Sequence, residues 1–434
     1  MSFDERALIE YVTEQRWYGA KTRGVVHAEV ADSVELGPTL GLALVEIRYE
    51  TGAHDVYQVL VSPELADDVA VAREVVSAMR GGRTLDSAEG VYEFHRADAM
   101  LDREPGDARA VGGEQSNTSV VFGEDAILKS FRRLEPGLNP ELELLRFLTA
   151  RGFPNIASLG GWYGYAGGPL AATLGILQAF VPGAVDGWEL ALDELASDPE
   201  RFLGRLHRLG EVTGELHTAL ASDDEDPAFA PETPSVEALG LLTATVDDEI
   251  ARVFLELPDD DERVAPIAGR GEEVREQLRL LAGSAAAGKN IRTHGDFHLG
   301  QTLSARDDWV IIDFEGEPAR SLAERRRKRS PLRDVAGMLR SFAYAAIAAE
   351  LVRGAEVPAD WERRARGLFL DGYLASVDPA LLPVGREAVD RLLAVFELEK
   401  AVYELRYELD NRPDWVGIPV AAIQRLIESA ATAQ

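Results

Sequence analysis

Thr293-His294-Gly295-Asp296-Phe297-His298-Leu299-Gly300-Gln301, followed by Val310-Ile311-Ile312-Asp313-Phe314-Glu315, is the stretch on which the reading of this chain turns. One carboxylate, Asp296, sits in a polar loop. An amide, Gln301, follows it, and a second carboxylate, Asp313, closes an apolar run. Residues 309–312 read as a buried strand, so Asp313 stands where that strand ends. Phosphoryl transfer from a nucleotide needs this set. One carboxylate orients a hydroxyl and accepts its proton, while an amide and a second carboxylate hold magnesium against the phosphates.

Protein kinases place H-R-D-x-x-x-x-N ahead of D-F-G, and Asp296 to Gln301 repeats that interval with Gln in place of Asn. A polar turn beside a core strand would account for a lone His-Gly-Asp. It does not account for two carboxylates, an amide and an intervening strand in this order.

The chain has 434 residues, enough for two or three domains at roughly 100–200 residues each. A hydrophobic content of 46% is that of a globular protein. No run of consecutive apolar residues approaches the ~20 that a membrane-spanning helix requires. The start, Met1-Ser2-Phe3-Asp4-Glu5-Arg6, lacks the basic segment and apolar stretch of a signal peptide, so a cytoplasmic location is expected. There are no cysteines, which excludes disulfides, thiolate catalysis and zinc–cysteine sites. A net charge of −30 disfavours nucleic acid and anionic membrane as partners, because both demand a dense basic surface. It does not oppose ATP, which needs only a local lysine, metal ions and backbone N–H groups. The acidic runs at 222–226 and 258–262 read as solvated loops.

Working back toward the N-terminus, residues 1–105 read as a separate unit. A first helix leads into Arg16-Trp17-Tyr18-Gly19-Ala20-Lys21, and strand-like runs at 25–30, 42–48 and 56–61 predict a mostly antiparallel sheet. Residues 106–181 read as a nucleotide-holding lobe. Short strands at 108–111, 119–122 and 126–129 enclose a polar turn, Gly112-Gly113-Glu114-Gln115-Ser116-Asn117-Thr118. Ser116, Asn117 and Thr118 are candidates to meet phosphate, and Lys129, on the third strand, to contact it as a kinase lysine does. Asn139 and Pro140 predict a helix start. Glu141 or Glu143 in its first turn is placed to pair with Lys129, Glu143 being the preferred candidate. Gln178, Phe180 and Val181 lie on a strand running into an extended connector whose backbone suits an adenine edge. From 182 to 434 the pattern is largely helical, and Ser330 is placed to cap a helix on which Asp334 is a candidate clamp for the catalytic loop.

The second informative stretch lies near the C-terminus. On a helix, Lys400, Tyr403, Glu404, Tyr407 and Glu408 fall along one side, and Trp415 follows. A face of charges and aromatic rings is poor core material and suits a sugar, whose hydroxyls need polar partners and whose C–H face packs on rings. A solvated face with an ion pair between Lys400 and Glu404 is the alternative.

Six blocks, at 114–119, 139–143, 294–301, 313–318, 330–340 and 400–419, together resemble the actinobacterial maltokinases and the related glucosamine kinases. Both belong to the aminoglycoside-phosphotransferase-like, protein-kinase-like superfamily. The resemblance implies an α+β fold, bilobal, with an N-terminal mostly-β cap and a helical C-terminal lobe. It implies Asp296 as catalytic base, Gln301 and Asp313 as magnesium ligands, Lys129 on ATP, and a sugar held by His298, Lys400, Tyr403, Glu404, Tyr407, Glu408 and Trp415. The activity implied is a Mg²⁺–ATP-dependent sugar kinase, acting as a monomer or weak homodimer. Glucosamine is preferred to maltose as acceptor, because carboxylates such as Glu404 and Glu408 favour an ammonium group. An aminoglycoside phosphotransferase and a non-catalytic kinase-like binding module are the further alternatives.

Overall fold

A computed structural model describes residues 5–431 apart from 64, 66–67, 98, 105, 113–116, 259–260 and 284–286. The chain divides into two compact units, one of residues 1–183 with 320–324 and the other of 184–319 with 325–434.

The first unit contains α1 (Glu5–Glu14), β1 (Val25–Glu35), β2 (Gly41–Tyr49), β3 (His54–Val61), α2 (Asp68–Gly81), β4 (Thr84–Asp86), β5 (Gly90–Arg96), β6 (Ala108–Ala110), β7 (Asn117–Phe122), β8 (Ala126–Phe131), β9 (Arg133–Leu134), α3 (Pro140–Ala150), β10 (Leu159–Gly167) and β11 (Ala171–Ala179). Two antiparallel sheets result, one ordered β1-β2-β3-β9 and the other β4-β5-β10-β11-β8-β7-β6. Leu8 and Val12 of α1 join Tyr18, Val45, Ile47, Tyr57 and Val59 in one apolar core.

Residues 1–105 do not close on themselves, contrary to the sequence expectation. β5 pairs with β10 from Arg96↔Gly161 to Gly90↔Gly167, and β3 pairs with β9 through Val56↔Leu134. Long-range pairing of this kind leaves no mark in local periodicity, so β4 and β5 were not foreseen; α2, an amphipathic helix, was also missed. A buried carboxylate reinforces the join. Asp32 on β1 accepts the Tyr165 hydroxyl of β10 at 2.7 Å.

The second unit contains β12 (Val185–Asp186), α4 (Gly187–Ser197), α5 (Pro199–Leu220), α6 (Val236–Leu255), α7 (Gly271–Gly283), β13 (Thr302–Ala305), β14 (Asp308–Ile311), α9 (Leu332–Arg353), α10 (Trp361–Ser376), α11 (Arg386–Asn411) and α12 (Gly417–Ala431); the single turn α8 (Leu322–Arg325) lies at the edge of the division. The expected strand at 309–312 is β14. Its partner β13 escaped the sequence reading because the hairpin turns on Arg306 and Asp307, at φ 51° and 62°, where glycine or asparagine would be the usual signal.

By length and composition α9 is long and apolar enough to cross a membrane, yet 61% of that window is buried inside the fold. Counting consecutive apolar residues missed it, because Arg333, Asp334 and Arg340 interrupt the run. Ser330 is not its side-chain cap; Pro331 occupies that position. Helices α5 and α10 approach through glycine. A Cβ at Gly372 would fall on the carbonyl oxygen of His207, and one at Gly210 on that of Phe369. Gly372→Ala is therefore expected to lower stability by about 1–3 kcal/mol through overpacking, seen as a lower urea midpoint at unchanged slope. A midpoint equal to the parent's would contradict so close an approach.

Candidate active site

The loop 293–301 is held by α9. Buried Asp334 accepts the backbone N–H of His294 at 2.8 Å through Oδ2 and that of Gly295 at 3.0 Å through Oδ1. The clamp foreseen for Asp334 is thus present. Gly295 sits at φ +87°, a left-handed conformation open to glycine. One and two turns further along, Gly337 lets the carbonyl of Phe297 approach, and Ser341 Oγ accepts Leu299 N–H at 3.3 Å. Residues 334, 337 and 341 share a helix face, which is why one helix supports the whole loop.

Behind Asp334 stands His217 of α5, whose Nε2 lies 3.2 Å from Oδ2 and whose Nδ1 lies 3.0 Å from the Tyr373 hydroxyl. Burial pushes the Tyr373 phenol well up, so it stays protonated and donates to Nδ1. Nε2 is then the donor to Asp334. Burial opposes ionisation of Asp334, but the His217 bond, the electrostatic influence of the His217 and His294 rings and the Gly295 N–H hold its carboxyl below the usual range. His294 is fixed the same way: its Nδ1 accepts Asp296 N–H at 3.4 Å, and its Nε2 donates to Ile312 O at 2.9 Å.

Asp296 projects into a cavity of about 570 Å³ whose lining includes Asp186, His298, Arg340, Tyr344, Lys400 and Tyr403 with Glu404, Tyr407, Glu408, Arg412 and Trp415. Lys400 Nζ stands 3.7 Å from Asp296 Oδ1, and His298 Nε2 3.9 Å from Oδ2. Burial pushes His298 below its ordinary pKa, and its Nδ1 accepts Gly300 N–H at 3.1 Å. Every residue of the expected sugar face on α11 lines this cavity, with Trp415 and His298. The alternative pairing of Lys400 with Glu404 does not form. Buried Arg340 takes Glu404 instead, at 2.9 and 2.7 Å.

Glu408 is 1% exposed. Its Oε1 accepts from Tyr344 at 3.0 Å and from Arg412 at 2.7 Å, while its buried Oε2 has no partner. Burial raises its carboxyl pKa, against the lowering by Arg412. Tyr344 and Trp415 stack at 6.0 Å with 23° between planes. Arg340, Tyr344 and Arg412 were missed in the sequence, although an arginine among Val335, Met338, Leu339 and Phe342 was a readable signal of a buried charge.

Gln301 ends the turn Leu299–Gln301, and its carbonyl accepts Ile312 N–H at 3.0 Å, so the loop is tied to the segment carrying Asp313. Asp313 keeps φ at 61°, strained for a residue with a Cβ. The basic cluster 325–329 is divided among structural contacts. Lys328 Nζ reaches Glu232 and Ala230 O, both at 2.7 Å, and Arg325 reaches Glu315 O at 3.1 Å.

In the first unit, Lys129 Nζ meets Glu141 Oε2 at 2.8 Å. The pairing expected for Glu143 is thus made by Glu141. Both acids are buried on α3. Asn139 caps that helix as expected, accepting Glu141 N–H at 2.8 Å. Asn117 and Thr118 open β7 opposite Phe131 and Ser130. Gln178 pairs with Ile127, Phe180 N–H bonds Asp125 O at 3.0 Å, and Val181 follows. Ser116 lies outside the described residues.

Residues 107–366 match the Phosphotransferase enzyme family and residues 11–89 the Maltokinase N-terminal cap domain. A glucosamine kinase of Streptacidiphilus jiangxiensis is 30% identical over 372 residues, covering 82% of this chain and 81% of that protein. One of Mycolicibacterium smegmatis is 29% identical over 347 residues, covering 75% and 80%. Among solved structures, a glucosamine kinase in complex with glucosamine, ADP and inorganic phosphate superimposes with a TM-score of 0.74 at 23% identity, over 93% of this chain and 96% of that one. The fold is therefore the bilobal, protein-kinase-like α+β fold.

Asp334→Ala strips the loop of its acceptor and leaves His217 Nε2 without one. Leaving these buried donors unsatisfied is expected to lower stability by about 1–3 kcal/mol for each, measured by urea denaturation. Because the folded pKa of Asp334 lies below its unfolded value, the wild-type advantage is complete above about pH 4 and shrinks as pH falls through the folded value. A deficit that stays constant on acidification would contradict the assignment.

Proposed function

This chain belongs to the phosphotransferase enzyme family, and we propose that it transfers the γ-phosphoryl group of magnesium-bound ATP to a hydroxyl of glucosamine, forming glucosamine 6-phosphate. The relatives named glucosamine kinase, at 30% and 29% identity, support the choice of sugar. The observation that carries it is the unpartnered Oε2 of Glu408, buried in the wall of the cavity that Asp296 enters. A buried acceptor without a donor is costly, and a carboxylate favours a nearby ammonium group over a neutral hydroxyl. The cavity volume, about 570 Å³, lies in the ~300–1,000 Å³ range of small-ligand sites.

In this reading Asp296 accepts the proton as the sugar oxygen attacks the γ-phosphorus and the bond to ADP breaks. Lys400 and His298 orient its carboxylate, and His298, held neutral, adds no competing charge. Gln301 and Asp313 would hold magnesium: both offer the hard oxygen donors that ion prefers, they are tied through the Ile312 N–H bond to Gln301 O, and strain of the kind seen at Asp313 concentrates at functional sites. The ion, when bound, neutralises charge on the phosphates. Lys129, Asn117 and Thr118 would meet the phosphates, and Gln178, Phe180 and Val181 the base. The match of residues 11–89 to the maltokinase cap favours a second reading, with maltose as acceptor and maltose 1-phosphate as product.

ADP release measured across glucosamine, N-acetylglucosamine, glucose and maltose decides between them. Glucosamine is expected to give the highest kcat/KM; a higher value for maltose would reverse the choice. Asp296→Asn is expected to lower kcat by about 10²–10⁴-fold, the range for loss of a general base, and near-parental turnover would remove Asp296 from that role. Glu408→Gln is expected to raise KM for glucosamine more than for glucose. In the parent, KM for glucosamine rises as pH falls through the elevated Glu408 pKa, because protonation removes the charge that binds the ammonium. A pH-independent KM would remove Glu408 from that role.

A further inference from the structure

Arg132 occupies an unusual point in the chain. β8 runs in the seven-stranded sheet and β9 in the four-stranded sheet, and Arg132 is the residue between them. Its backbone carbonyl accepts Gln58 N–H of β3 at 2.7 Å. Its side chain is wholly buried, at 0% exposure. Nε donates to Thr118 Oγ1 at 2.7 Å, Nη2 to Asp68 Oδ2 at 2.8 Å and Nη1 to Gln58 O at 3.4 Å. The guanidinium lies 5.2 Å from the Trp17 ring centroid. Trp17 is itself wedged against Tyr57 at 5.8 Å and Tyr11 at 6.3 Å.

Burying a guanidinium carries a desolvation penalty of several kcal/mol. One partly exposed carboxylate, an aromatic face and two neutral acceptors offset it. A neutral side chain would join two sheets at lower cost. What only arginine supplies is a rigid planar fork with donors in fixed directions, here aimed at Asp68 on α2, at β3 and at the hydroxyl of Thr118. The Arg-Trp-Tyr-Gly-Ala-Lys segment at 16–21, which no part of the proposed chemistry uses, thereby acquires a role through Trp17: it walls the guanidinium on its open face.

We propose that Arg132 is a positioning residue for the nucleotide, fixing Thr118 and the start of β7 against the N-terminal sheet, so that Trp17 and Asp68 tune ATP binding without touching it. This rests on the reading that Asn117 and Thr118 meet the phosphates. With Thr118 Oγ1 accepting from Arg132, the hydroxyl proton is directed away from the guanidinium.

The test uses the full chain and four variants: Arg132→Lys, Thr118→Val, the pair together, and Trp17→Leu. ADP affinity is read by calorimetry, KM for ATP and for glucosamine by ADP release, and stability by thermal melting. Arg132→Lys keeps the charge and loses the fork. It is expected to weaken ADP binding and raise KM for ATP by about tenfold, the size of one charged hydrogen bond, while KM for glucosamine stays within about twofold. Trp17→Leu shifts the same quantities in the same direction by less. In the Thr118→Val background, Arg132→Lys adds nothing further, because the bond it would break is already gone. A role confined to joining the sheets predicts instead that melting temperature falls while both KM values and ADP affinity hold, or that ATP and sugar terms move together. Either result overturns the proposal, as does full additivity of the two substitutions. If Arg132→Lys does not fold, Trp17→Leu still decides through ADP affinity. Failure of the parent itself to bind ADP would instead overturn the nucleotide reading on which this rests.

Discussion

One buried carboxylate holds the loop on which the rest of the candidate site depends. A loop lacks the self-satisfying hydrogen bonds of a helix or sheet, and an unpaired buried N–H is costly. Asp334 answers two of those groups at once, at 2.8 and 3.0 Å. An acid is suited to this because it offers several lone pairs from a short side chain. Its Oδ2 also accepts from His217, which Tyr373 keeps in the right tautomer. A chain of contacts from α10 through α5 to α9 thus ends on the backbone that presents Asp296.

The same helix supplies the far side of the cavity. Arg340 and Tyr344 project toward α11 and take Glu404 and one oxygen of Glu408. Charges taken out of water are tolerated when paired, and the pairing of Arg340 with Glu404 leaves that part of the wall electrically quiet. Glu408 is the exception, because one of its oxygens has no donor. What distinguishes this part of the wall is therefore a polar atom left unsatisfied rather than the sum of its charges. Lys400 stands close to Asp296.

How much was legible in advance varied with the range of the interaction. The interval from Asp296 to Gln301 and the strand before Asp313 were readable because the chemistry constrains residues close in sequence. The Asn139 cap and the polar stripe of α11 were readable because both are properties of a single helix. Errors came where geometry had to choose between near neighbours. Glu141 pairs with Lys129, and Pro331 rather than Ser330 stands at the cap of α9. The hairpin at Arg306–Asp307 was invisible because its residues are not those that a left-handed turn usually employs.

By itself the sequence determined the reaction class and the polar face of α11, and its resemblance to a known family implied the bilobal α+β architecture. Spacing along a strand, loop or helix is local, and local geometry follows from the backbone. The tertiary structure alone decided that residues 1–105 share their sheets with later strands, that Arg340 draws Glu404 away from Lys400, and that Glu408 keeps one oxygen unanswered. These outcomes depend on which distant segments meet. That is set by the burial of apolar surface across the whole unit and by the need to satisfy every polar group enclosed with it, and neither quantity is defined until the chain has folded.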